Sequence, residues 1–218
     1  MKITFKNTSE KIDVNTIFCV GRNYAAHATE LNNPVPSSPL IFTKPVTALT
    51  FDGGSINLPS QSNDVHYEVE VVALIGKPGK NIQPAEALTH VAGYGIGIDV
   101  TARDIQQKAK EKSHPWAIAK GFDTFAPIST FISPDKVGDP ADLSFHLAIN
   151  GETRQVGNTG DMLFPLPQLI SYLSSIFTLT PGDLIFSGTP EGVGKLFPDD
   201  RLHAVLGDQL TGLRVTVC

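Results

Sequence analysis

The sequence predicts a strand-rich α+β domain, on three observations. Short apolar runs that read as strands recur along the chain, whereas only three stretches carry a helical pattern. Glycine (19) and proline (16) are spread throughout, so the chain turns often. The helical stretches are scattered and do not alternate with strands, which argues against a doubly wound parallel sheet.

In chain order, the runs ITF and TIFCVG read as strands. YAAHATEL follows as a helix that Asn23 could cap. LIFTKP, YEVEVVALIG and GYGIGIDV are strands. ARDIQQKAKEK is a helix, and Thr101 with Asp104 approximates a capping box at its start. LSFHLAING, DLIFSG and LRVTVC are strands, with the helix LPQLISYLSSIF between the first two. PSQSNDV and EKSHPW are loops, and no repeat, low-complexity tract or linker divides the chain. A length of 218 residues fits one domain, 1–218, large enough to bury a core and still hold a pocket.

Composition excludes several classes. The hydrophobic content of 41% is that of a globular protein. The formal charge is −5 without a basic patch, so no nucleic-acid partner is expected. The lysines of KAKEKSH are read as a solvated helix face. No segment approaches the roughly 18 apolar residues of a membrane span, so no membrane partner is expected. The N-terminus builds no signal-peptide core, and Cys19 and Cys218 are read as free thiols in a reducing compartment. The expected location is cytoplasmic, with the mitochondrial matrix as the alternative.

The chemistry starts in HYEVEV. Glu68 and Glu70 are two apart, so on a strand they share a face with Val72 and Leu74. Residues further along are apolar on both faces, which implies a strand covered on both sides. Two carboxylates there need a shared proton, a pairing cation or a metal ion; a solvated pair at an exposed strand start is the plainer alternative. GYGIGIDV then puts Gly93, Gly95, Gly97 and Asp99 on one strand face. Glycines in a row weaken a strand unless something must approach closely. A third carboxylate converging on the first two would make an all-oxygen site for Mg²⁺ or Mn²⁺. A plain helix-capping role for Asp99 is the alternative.

His27 and Glu30, at i and i+3, are neighbours on a helix and could together deprotonate water, although such pairs are commonly just solvated. Lys120 is the one cation in the apolar stretch WAIAKGFDTFAP; it could neutralise the carboxylates or polarise a carbonyl, or merely reach solvent. The loop SGTPEGVG offers backbone N–H groups to an anion, or is a simple turn.

The blocks CVGRNYAAHATEL, LIFTKP, HYEVEVVALIG, GYGIGIDVTARDIQ, PWAIAKGFD and FSGTPEGVG resemble, in this order and spacing, the fumarylacetoacetate hydrolase family. The closest resemblance is to its small single-domain members, which act as acylpyruvate hydrolases or oxaloacetate decarboxylases, and it runs from about Thr16 to the end. It implies a mixed β-sandwich or roll, assembled as a homodimer. It implies Mg²⁺ or Mn²⁺, with Ca²⁺ able to substitute, held by Glu68, Glu70 and Asp99. It implies a water-activating dyad of His27 and Glu30, and Lys120 assisting at the carbonyl of a 2-oxo acid substrate. Substrate contacts fall on Arg22, Gln106, Thr189 and Arg103, and a lid falls around residues 24 to 38. The implied activity is cleavage of a C–C bond in acylpyruvates, with oxaloacetate decarboxylation through the same enolate. Isomerase, tautomerase or decarboxylase chemistry on oxaloacetate or 2-oxo-dienoates is one alternative, and a catalytically dead binding protein that keeps the fold and a metal is the other.

Overall fold

The structure is a computed structural model that describes residues 1–30 and 34–218. Its spine is a seven-stranded mixed sheet. In spatial order the strands are Leu40–Lys44, Ile17–Gly21, Leu184–Phe186, Val69–Ile75, Val91–Ile98, Ala126–Ile128 and Leu49–Phe51. Two of these pairings are parallel, Leu184–Phe186 with Ile17–Gly21 and Ala126–Ile128 with Leu49–Phe51. A five-stranded sheet packs against it, with strands ordered Glu152–Asn158, Ser144–Ile149, Arg201–Leu206, Thr211–Val217 and Ser55–Ile56. Among the described residues, four α-helices accompany the sheets: α1 (Ala25–Glu30), α2 (Arg103–Glu111), α3 (Ala117–Lys120) and α4 (Leu166–Ile176). The strand-rich α+β expectation and its sandwich character therefore hold. Among the described residues, no helix is long and apolar enough to cross a membrane.

The central strand Val69–Ile75 is buried along its whole length. Val69, Val71, Ala73 and Ile75 face a core shared with Leu147, Ala204, Leu213 and Val215 of the second sheet. Val72 and Leu74 point the other way, into a second core with Ile17, Cys19, Phe131 and Phe186. Each fully buried aliphatic side chain contributes on the order of 1.5–3 kcal/mol. Apolar residues on both faces are what a doubly covered strand requires.

Four local expectations are corrected. YEVEVVALIG is not one strand. The chain leaves a short strand, Val65–Tyr67, in a three-stranded sheet with Thr101–Ala102 and Gly194–Lys195, and enters the large sheet at Val69. Glu68 sits at that switch. The glycine face of Val91–Ile98 clears space for aromatic rings, not for a ligand. A Cβ on Gly95 would lie 3.0 Å from the Phe131 ring, and one on Gly97 would lie 2.7 Å from the Phe186 ring.

Asn23 does not cap α1. Its side chain accepts from Phe164 N–H (2.8 Å) and donates to the Ser187 (2.7 Å) and Phe164 (3.0 Å) carbonyls, tying three segments together. Thr101 does not cap α2; it lies in a strand and its hydroxyl donates to Asp99 O at 3.3 Å, while Asp104 is held by Ser62 Oγ at 2.6 Å. The part of the expected lid at residues 31–33 lies outside the described residues.

Candidate active site

Glu68, Glu70 and Asp99 converge. One ligand oxygen from each lies within 4.8 Å of the others, and all three side chains are buried. The backbone explains the convergence. Glu70 stands in register with Gly97 on the adjacent strand, and Asp99 N–H, just past the end of that strand, donates to Glu68 O at 2.7 Å.

Three cations answer the three carboxylates, but unevenly. Lys120, carried by α3 and itself buried, donates to Glu68 Oε2 at 2.9 Å and to Asp99 Oδ2 at 2.7 Å. Arg103, the first residue of α2, pairs with Glu68 Oε1 and donates to Gln106 Oε1 at 2.8 Å. Burial alone would raise the Glu68 carboxyl, but Lys120 and Arg103 outweigh it and hold the group well below the usual carboxylate range. Burial alone would lower Lys120, and the Asp99 and Glu68 carboxylates overcome that and raise it.

Lys44 lies 2.7 Å from Asp99 Oδ1. Its three protons, however, go to the backbone carbonyls of Val100 (2.9 Å), Lys120 (2.5 Å) and Phe125 (2.8 Å). An ammonium has three donors, so Asp99 Oδ1 gains a charge contact but is left without a hydrogen bond. Burial lowers Lys44, against the pull of Asp99.

Glu70 has no cation partner among the described residues. Its one hydrogen bond comes from Gly188 N–H to Oε2 at 2.8 Å. Burial first, then the nearby Asp99 carboxylate, push its carboxyl well above the usual range. A buried carboxylate without a counter-charge and an orphaned carboxylate oxygen beside it are what a hard divalent cation would satisfy. The donor set fits such an ion.

The remaining candidates gather around a cavity of about 30 Å³ next to this cluster, lined by His27, Glu68, Glu70, Arg103, Gln106, Lys120, Thr189 and Arg22. His27 is buried on α1, and its Nδ1 is 3.5 Å from Glu30 Oε2, longer than an ordinary hydrogen bond. With Nδ1 turned to Glu30, Nε2 is the nitrogen left for other chemistry. Burial lowers His27 despite Glu68, so the neutral imidazole is favoured. Glu30 does not line the cavity; it is anchored by Gly192 N–H at 3.1 Å. Arg22 has a left-handed backbone (φ 58°), a strained conformation for a side-chain-bearing residue, and burial lowers its guanidinium. The structure thus sets Glu68, Glu70 and Asp99 together and places the other site candidates around the adjoining cavity, except Glu30, which stands behind His27. A larger open groove of about 780 Å³ over the five-stranded sheet has no buried titratable side chain in its lining.

Sequence reasoning missed Lys44, Gln155 and Lys110. Lys110, expected on a solvated helix face, is half-buried, lines the cavity and lies 5.7 Å from the Trp116 ring centre. Burial, then Arg22 and Arg103, lower its ammonium. For Lys44 a signal existed, a lysine closing the apolar strand LIFTK. Replacing it with methionine leaves three buried carbonyls without a donor. Breaking buried polar networks of this kind costs about 3–5 kcal/mol. Lys44→Met should therefore melt about 10 °C lower by calorimetry, with Lys44→Arg recovering part of the loss.

A buried carboxylate cluster beside a histidine–glutamate pair and a buried lysine, set in a strand-rich α+β sandwich, is the apparatus of an enzyme. The chain belongs to the fumarylacetoacetate hydrolase family: the family described as "Fumarylacetoacetate (FAA) hydrolase C-terminal" matches residues 16–217. A mitochondrial oxaloacetate tautomerase of Arabidopsis thaliana is 49% identical over 188 residues, covering 86% of this chain and 84% of its own. A mitochondrial oxaloacetate decarboxylase of Dictyostelium discoideum is 48% identical, covering 84% of each. The crystal structure of fumarylpyruvate hydrolase from Pseudomonas aeruginosa, in complex with Mn²⁺ and pyruvate, superposes with a TM-score of 0.94 at 39% identity, covering 100% of this chain and 95% of that one.

Proposed function

We propose that this enzyme cleaves acylpyruvate-type 2-oxo acids hydrolytically and decarboxylates oxaloacetate at the same site. The observation that carries this reading is the pairing of two devices at one cavity, a cation-hungry carboxylate triad and a buried, neutral-leaning imidazole backed by Glu30. A divalent cation held by Glu68, Glu70 and Asp99 would supply Lewis-acid polarisation of the 2-oxo group and adjoining carboxylate.

The chain's own groups do the rest. His27 Nε2 takes a proton from water while Glu30 holds the other ring nitrogen. The water oxygen bonds to the distal carbonyl carbon, and the C–C bond breaks with its electron pair passing to the pyruvate fragment. Lys120, close to where that charge develops, stabilises the enolate. The proton held by His27 then returns to the enolate carbon, giving pyruvate and a carboxylic acid. For oxaloacetate the same enolate forms as CO₂ departs, without attack by water, and its carbon then takes a proton from solvent to give pyruvate.

Arg22 and Lys110 add cationic character to the cavity wall, and among the described residues neither is in an ion pair. They suit a substrate with a second carboxylate. That feature, with the 49% identity to an oxaloacetate tautomerase, favours oxaloacetate tautomerisation as the second reading.

The test is pyruvate release from acetylpyruvate, fumarylpyruvate and oxaloacetate, with Mg²⁺, Mn²⁺ or chelator, alongside enol absorbance. Metal-dependent pyruvate release from the acylpyruvates supports the proposal. Loss of oxaloacetate enol without pyruvate from any substrate would replace it with tautomerisation. Lys120→Met should lower kcat on the order of 10²-fold and change KM less, because its charge contact strengthens as the enolate forms. A pure rise in KM would reduce Lys120 to a binding group.

A further inference from the structure

Glu152–Asn158 is an edge strand of the five-stranded sheet, and its central residues Thr153, Arg154 and Val156 are exposed. Gln155 is the exception: it is 1% exposed, a lone buried polar side chain on an exposed strand. Its amide reaches into the other sheet. Oε1 accepts from Val69 N–H at 2.9 Å, the peptide between Glu68 and Glu70. Nε2 donates to Thr189 Oγ1 at 2.9 Å and to Pro190 O at 2.9 Å, with Glu191 O at 3.4 Å.

The orientation of this amide is forced. Val69 N–H can only donate, and the Pro190 and Glu191 carbonyls can only accept. A flipped amide would set its NH₂ against Val69 N–H and its oxygen against two carbonyl oxygens. Thr189 Oγ1 must therefore accept from Gln155. The hydroxyl keeps one proton, and Thr189 lines the cavity beside the carboxylate triad.

We propose that Gln155 is a positioning residue that sets Thr189 as a hydrogen-bond donor to a carboxylate oxygen of the bound 2-oxo acid. The same amide ties the Thr189 loop to the strand bearing Glu68 and Glu70, so it fixes the distance from the carboxylate triad to the substrate-binding hydroxyl. Gly192 at the far side of the loop presses against the Arg154 carbonyl, where a Cβ would come within 2.4 Å, so the loop lies flat on the edge strand that carries Gln155. This inference rests on the 2-oxo acid reading above.

The test is a double-mutant cycle on the Mn²⁺-loaded protein, with oxalate as the probe and calorimetry as the readout. Oxalate shares the adjacent oxygen atoms of a 2-oxo acid and needs no turnover. Gln155→Met removes every one of these hydrogen bonds at constant length, and Thr189→Val removes the hydroxyl at constant shape. Each should weaken oxalate about tenfold, the usual effect of losing one hydrogen bond to a charged group. Mn²⁺ affinity should stay within about threefold, since no ligand oxygen is changed. In the Thr189→Val background, Gln155→Met should cost less than about twofold more. If the two losses multiply, Gln155 does not act through Thr189 and the proposal falls.

Gln155→Glu provides a second arm if the methionine variant fails to fold. Its carboxylate still accepts from Val69 N–H, but it recruits the Thr189 proton to itself. Oxalate affinity should fall at least as far as in Thr189→Val, and unchanged affinity would overturn the proposal. Failure of wild type to bind oxalate at all would instead defeat the 2-oxo acid reading, which keeps the two failures apart.

Discussion

Glu70→Gln is expected to abolish Mn²⁺ binding in calorimetry and to lower pyruvate release on the order of 10³-fold, while the chelator-treated variant melts higher than chelator-treated wild type. The opposite signs follow from the imbalance of charge. Glu68 is held by Lys120 and Arg103, and Asp99 by Lys120 and Lys44. Glu70 is buried to 1% exposure, with one backbone N–H as its only donor among the described residues. A buried carboxylate without a counter-charge is destabilising, and a neutral amide of the same shape removes that cost. The amide oxygen can keep the Gly188 bond, and the amide NH₂ can face Asp99.

A gain of about 1 kcal/mol corresponds to roughly 3 °C in a chain of this length. Saturating Mn²⁺ should reverse the order, because only wild type gains from binding. Glu68→Gln is the useful contrast. It should lose metal as well, but it also strands Lys120 and Arg103, so its metal-free form should melt lower than wild type. If Glu70→Gln binds Mn²⁺ like wild type, or melts below it in chelator, the carboxylate cluster is a structural ion-pair network and not a metal centre.

The sequence carried the pattern of strands well because their signal is local. IFCVG and VEVVALI are buried runs that can be read from their continuous apolar, β-branched composition. It failed where a side chain's partner is distant in the chain. Asn23 reads as a helix cap, but its partners lie 141 and 164 residues away, and that long-range network won over the local one. The glycines of GYGIGI signal close approach without saying of what; Phe131 and Phe186, far along the chain, fill the space. Lys44 and Gln155 carry no local signal of their contacts, since each is defined by groups 34 to 86 residues away. The split of HYEVEV at Glu68 was invisible for the same reason. Its two halves pair with different sheets, and pairing is a tertiary choice that alternation does not encode.

His27→Ala should separate the two reactions. Hydrolysis of an acylpyruvate needs a proton removed from water before the oxygen attacks, and a positioned base supplies roughly 10²–10⁴-fold. Oxaloacetate loses CO₂ without any such step. The variant should thus lose on the order of 10³-fold in acylpyruvate hydrolysis and keep oxaloacetate decarboxylation within about threefold. Equal loss of both would mean that His27 serves binding or the shape of the cavity, and the division of labour would fail.

The pH profile gives an independent reading of the same residue. Burial lowers the imidazole, opposed by Glu68 and Glu30 and assisted by Arg103. Only the neutral ring can accept the water proton. Hydrolysis should fall as pH drops through the His27 pKa, and that acid limb should lie below the ordinary histidine value of about 6.5. Glu30→Gln removes a carboxylate that favours the protonated ring, so it should move the limb further down and cost less than His27→Ala. At 3.5 Å, Glu30 Oε2 faces His27 Nδ1 at the outer limit of a hydrogen bond. Its part is to keep Nδ1 occupied so that Nε2 stays the base, and an acid limb that ignores Glu30→Gln would remove it from that part.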